Sequence, residues 1–170
     1  MREAERARPW WRRLGTALAP RPLDIAERLT QHYAAEVRLA DGLAQEVESL
    51  ARYPSARDRV LGAAERARGR AQRIRQALEG LKRPVTEPWT RKEPTSSTYW
   101  VRLRDSVSEL SRMSDACLVD AQAIEREHSG IASLLRDLHR ETSRDRRDLI
   151  WTLAQLPGTT IATSLEAIPV

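Results

Sequence analysis

Acidic side chains recur where helical spacing turns them inward. Across residues 24–52 the apolar period runs Leu29, His32, Glu36, Leu39, Leu43, Val47, Leu50, so an imidazole and a carboxylate share one face with leucines. A later stripe, Leu134, Leu135, Leu138, Thr142, Asp145, Asp148, Leu149 and Thr152, carries two more carboxylates inward. Between them, residues 61–81 offer two phases: Leu61, Glu65, Arg68, Gln72, Arg75 and Leu78, or the neighbouring Ala64, Ala71, Ile74 and Leu81. Carboxylates and imidazoles that converge from several helices are the donor set of a metal centre. Arg68 changes that chemistry, because a guanidinium stays protonated and has only donors to offer. Placed between carboxylates, for example Glu36 with Glu65 or Asp145, it bridges them and supplies by fixed hydrogen bonds the positive charge a metal would bring. The same residues have a second use, a single metal held by His32, Glu36 and Glu65 with Asp145 or Asp148. They also have a plain one, in which Glu65 and Arg68 pair on a solvated helix face.

These side chains need four helices to bring them together. Asp24 caps the first, with Glu27 completing a capping box, and the helix ends near Arg52 before Tyr53-Pro54. The second takes its cap from Ser55 and Asp58 and has Gly80 at its C-terminal end. Pro84, Pro88 and Pro94, with Thr and Ser at 95–98, mark a crossover connection. The third helix spans about Tyr99 to Glu127, with Leu103, Val107, Leu110, Ser114, Cys117, Ala121 and Ile124 on one stripe. Ser129-Gly130 breaks it, and the fourth begins near Ile131. Two helical hairpins joined by a long crossover make an all-α antiparallel four-helix bundle over residues 22–156, flanked by a basic segment at 1–21 and a tail at 157–170.

Composition narrows the chemistry. At 170 residues the chain suits one domain with a sizeable core, and its 41% apolar and 31% charged content is that of a folded helical protein. The net charge of +5 invites anionic partners, but 27 of the 29 basic residues are Arg, a skew that GC-rich coding can produce without any binding role. A single cysteine, Cys117, on an apolar helical face excludes an internal disulfide framework and a Cys-based zinc site. No apolar run has the roughly 18 to 20 residues that a membrane span needs, and the N-terminus has no secretory h-region, so the expected compartment is the cytoplasm. No Gly-rich phosphate loop, nucleophile motif or paired zinc-ligand spacing is present, which removes hydrolases and nucleotide enzymes from consideration. His128 and His139 lie near the joint of the last two helices and are expected to be solvated.

The run Ala64-Glu65-Arg66-Ala67-Arg68, continuing to Leu78-Glu79-Gly80-Leu81, resembles the second helix of ferritin-like proteins such as bacterioferritin and rubrerythrin, where Glu-x-x-His supplies two metal ligands. Glu36 matches the ligand of the first helix, Glu65 the first residue of the second helix's motif, and Trp151-Thr152-Leu153-Ala154-Gln155-Leu156 resembles the end of the fourth. Counting back from Trp151 puts Asp145 and Asp148 on the second Glu-x-x-His. Arg68 and Asp148 stand where histidines belong, and Glu109, the nearest acid on the third helix, is one residue out of phase with its stripe. The resemblance covers residues 22–156. It implies a ferritin-like bundle whose di-iron site is dismantled, leaving Glu36, Glu65, Arg68, Asp145 and Asp148 as a buried polar network, with no cofactor and a structural or interaction role rather than catalysis. Homodimerisation is the oligomeric state it implies. The alternative is a divergent iron-binding oxidase or iron-handling protein that uses the acids and His32.

The N-terminal segment has its own chemistry. Arg2, Arg6, Arg8, Arg12 and Arg13 surround Trp10-Trp11, a mixture suited to an anionic membrane surface or to a nucleic-acid backbone with base stacking. The competing use of the two tryptophans is to fold back over an open end of the bundle.

Overall fold

Asp24 starts the first helix as its sequence predicts: one carboxylate oxygen accepts from the amides of Ala26 at 3.0 Å and Glu27 at 3.3 Å. The computed structural model describes residues 24–88 and 98–157; the N-terminal arginines and tryptophans and the tail after Pro157 lie outside these residues. Four helices follow in order, α1 (Ile25–Ser49), α2 (Pro54–Gly80), α3 (Tyr99–Ile124) and α4 (Ser129–Gln155), with no strand among the described residues.

Several termini differ from their sequence signals. The second helix begins on Pro54 at its first turn, with Tyr53 at the cap and no side-chain cap bond, so Ser55 and Asp58 are already helical. Proline costs nothing there, since its missing N–H has no intrahelical partner to lose. Gly80 is the last helical residue and not the turn that ends it. The left-handed position falls on Lys82 (φ 56°), where Arg83 N donates to Leu78 O at 3.1 Å and Lys82 N to Glu79 O at 2.9 Å. These two bonds define a Schellman closure. Ser129-Gly130 likewise opens α4 and does not break the preceding helix, which stops at Ile124.

Packing fixes the topology. The first helix pairs with α2 and lies beside α3, while α4 pairs with α3 and lies beside α2. One core cluster joins Leu43 and Leu50 to Val60, Ala64, Leu103, Leu110, Leu149 and Leu156. The other joins Leu29 and Tyr33 to Ile74, Leu78, Ala121, Ile124, Leu135 and Leu138. The C-terminal end of α1 therefore sits with the start of α2, the first half of α3 and the end of α4, so every neighbouring pair of helices is antiparallel. α2 ends at one pole and α3 begins at the other. The two poles are some 40 Å apart for a 27-residue helix.

Within α2 the alanine phase faces inward. Val60, Ala63, Ala64, Ala67, Arg70, Ala71, Ile74 and Leu78 are buried, while Glu65, Arg68 and Gln72 are exposed. Small residues at successive turns let α2 close on its neighbours, and the charged phase gains more from water than from a protein interior.

Candidate functional site

Between the two apolar clusters lies a layer of buried charge. The α1 stripe turns Glu36 inward (2% exposed), the alanine phase of α2 brings in Arg70 (0%), and the α4 stripe brings in Asp145 (1%). Arg70 Nε donates to Glu36 Oε1 at 2.8 Å and its Nη1 to Asp145 Oδ2 at 2.6 Å. Arg66, half exposed at the α2–α4 seam, donates through Nε to the other Asp145 oxygen at 2.6 Å. Among the described residues Arg70 Nη2, Glu36 Oε2 and the Thr142 hydroxyl have no hydrogen-bond partner.

The electrostatics follow from this placement. Burial pushes the Glu36 carboxyl above its usual range, with the Arg70 charge working against that rise. Burial likewise opposes the Arg70 charge, but Glu36 and Asp145 more than offset it and hold the guanidinium above its ordinary value.

A second buried cluster stands one turn away. His32 Nε2 is 2.9 Å from Asp120 Oδ2, and Cys117 Sγ is 3.6 Å from His32 Nδ1. A Nε2–H tautomer donating to Asp120 and accepting from the thiol satisfies both contacts. The order Cys–His–Asp is that of a nucleophile, base and orienting acid, but the chemistry needs a thiolate within reach of a substrate. Cys117 is 2% exposed, and burial, reinforced by the charges of Glu36 and Asp120, pushes its thiol up to about 12. It is a core thiol, as its stripe predicts.

Ion pairs also tie the two hairpins together. Glu46, buried on α1, takes a two-pronged contact from Arg102 of α3 at 2.5 and 2.7 Å. Arg73 of α2 donates to Glu141 of α4 at 2.5 Å.

Several sequence-predicted site residues stand elsewhere. Glu36 and Asp145 meet in the central layer. Glu65 and Arg68 do not join them, because both lie on the solvated phase of α2. Asp148 points outward, half exposed and 4.0 Å from Arg66 Nη2. Glu109 is on the outer flank of α3, paired with Arg112 at 2.5 Å. His32 is buried as expected, but its partner is Asp120 rather than a shared metal site with Glu36. His139, expected in solvent, is half buried against Ser114, with Nδ1 2.9 Å from both the hydroxyl and the carbonyl oxygen. His128 caps α4, half buried.

Arg70, Arg66 and Asp120 are the residues that sequence reasoning passes over. The signal for Arg70 is its place on the Ala63, Ala67, Ile74, Leu78 spacing, where an arginine among alanines reads as a surface residue until the carboxylates opposite it are known. Asp120 follows Cys117 by three residues on the α3 stripe.

The chain matches no protein-family model, no curated protein and no solved structure at a significant level of similarity. The donor set itself argues against a metal centre in the layer: Glu36 and Asp145 already accept from Arg70, and among the described residues no three His, Cys, Asp or Glu side chains are placed to hold a metal ion.

Proposed function

We propose that this chain is a non-catalytic ferritin-like bundle in which an arginine takes the electrostatic place of a metal centre, leaving a structural or interaction role. The observation that carries this reading is Arg70, fully buried and donating to Glu36 and Asp145 from between them. Kinship with ferritin-like proteins is supported by the single long crossover and the antiparallel neighbours it produces. Two carboxylates brought this deep need a counter-charge, and a guanidinium provides it without dissociating or titrating.

Elemental analysis after incubation with ferrous iron tests it directly. The wild-type chain is expected to retain no stoichiometric iron, manganese or zinc, and stoichiometric iron would overturn the proposal. Arg70→His, measured alongside, asks whether the carboxylates ligate once the guanidinium is gone.

A second reading, contact with an anionic partner through residues 2–13, is favoured by where the charge lies. Residues 1–23 hold six Arg and two Glu, which accounts for four of the five net positive charges of the chain. Replacing the five arginines of residues 2–13 by glutamine is expected to abolish salt-sensitive binding to an anionic surface if that reading holds.

A further inference from the structure

The last turns of α4 present a surface the bundle does not use. Ile150 and Trp151 are 43% and 51% exposed, among the largest apolar side chains left in solvent. Helical geometry places Arg147 on the strip between them and Ala154 one turn on, both also exposed. Arg59 of α2 lies over the indole, its guanidinium carbon 3.8 Å from the ring centroid, so the tryptophan is held in place at the surface.

Along this helix the unpaired charge is of one sign. Arg144, Arg146 and Arg147 are exposed, and among the described residues none makes an ion pair, while the acids of the same helix are engaged. Asp137 is taken by Arg140, Glu141 by Arg73, Asp145 by Arg70 and Arg66, and Asp148 faces Arg66. Two large apolar side chains thus stand beside three uncompensated guanidinium groups.

We propose that this face of α4 docks on the surface of an anionic lipid bilayer, with Ile150 and Trp151 entering the headgroup boundary and Arg144, Arg146 and Arg147 lying against lipid phosphates. Amphipathic surfaces of this composition bind through buried apolar area plus attraction to anionic headgroups. Ile150 decides against the other phosphate-rich partner, since single-stranded nucleic acid gives an aromatic ring a base to stack on but gives an isoleucine beside it little to enter. The contact is peripheral, because no helix among the described residues is long and apolar enough to cross a membrane. It is independent of the buried ion layer.

Co-sedimentation of the full chain with vesicles of mixed phosphatidylglycerol and phosphatidylcholine, against phosphatidylcholine alone, tests it. Binding to the anionic vesicles only is expected, weakened on the order of tenfold or more by Arg146→Glu with Arg147→Glu and also weakened by Ile150→Ser with Trp151→Ser. Far-UV circular dichroism checks that these exposed substitutions leave the bundle folded. As a second readout, a vesicle-induced blue shift of tryptophan emission is expected in the wild type and should shrink in Trp151→Phe. The proposal fails if anionic vesicles are not bound. It also fails if both double variants bind as well as wild type while the glutamine variant of residues 2–13 does not, or if a single-stranded oligonucleotide is bound in preference to vesicles.

Discussion

Arg70 is the side chain whose loss the bundle should feel most. Arg70→Met leaves Glu36 and Asp145 buried with their main counter-charge removed, and a loss of about 3–5 kcal/mol is expected in urea unfolding. Arg68→Ala is the control on the same helix; an exposed side chain with no special role should stay within about 0.5 kcal/mol of wild type. Equal losses from the two would mean that the α2 phase described above is wrong. Glu36 supplies a pH signature. Its carboxyl is held above the ordinary 4.5 by burial, so the folded chain binds that proton more tightly than the unfolded one. That contribution to stability is complete below the unfolded value and is lost as pH rises through the folded one. Measured from about pH 4 to about pH 8, the stability of Glu36→Gln relative to wild type should therefore climb. Cys117 gives a simpler test: with its thiol pushed up to about 12 and sealed in the core, iodoacetamide should label it only as fast as the chain unfolds, as read by mass spectrometry.

At the scale of the helix, Lys82 sets the clearest prediction. A left-handed backbone costs a residue with a Cβ roughly 1–2 kcal/mol, and glycine escapes that cost. Lys82→Gly should thus stabilise the chain by about 1 kcal/mol, a rise of roughly 2–4 °C in a thermal melt. The sequence carries a glycine two positions early, at Gly80, which is why the end of α2 reads correctly while its turn does not. Much else was legible. The Asp24 cap, the stripes of α1 and α3, and that of α4 apart from Asp148 follow from local chemistry that tertiary contacts do not override. α2 was not, because arginines populate several of its phases and the periodicity of apolar residues is diluted there. Choosing between phases requires knowing that Glu36 and Asp145 wait on the opposite helices, which is information held by other parts of the chain. The candidate site was accordingly half legible: its acids could be named, and its cation was placed two residues from where it stands.

For the whole molecule, the arrangement of charge separates interior from surface. Arg70 serves the fold, whereas Arg144, Arg146 and Arg147 make no ion pair among the described residues. The long return between α2 and α3 has a consequence for assembly. Each hairpin is joined by a short connection, but the two core clusters and the pairs Glu46–Arg102, His32–Asp120 and Arg70–Asp145 form only when one hairpin meets the other. Neither hairpin needs its partner to come from the same chain. The halves should exchange between copies at high concentration as a domain-swapped dimer, and a chain cut within the connection should reassemble from two fragments, each carrying one side of every such pair.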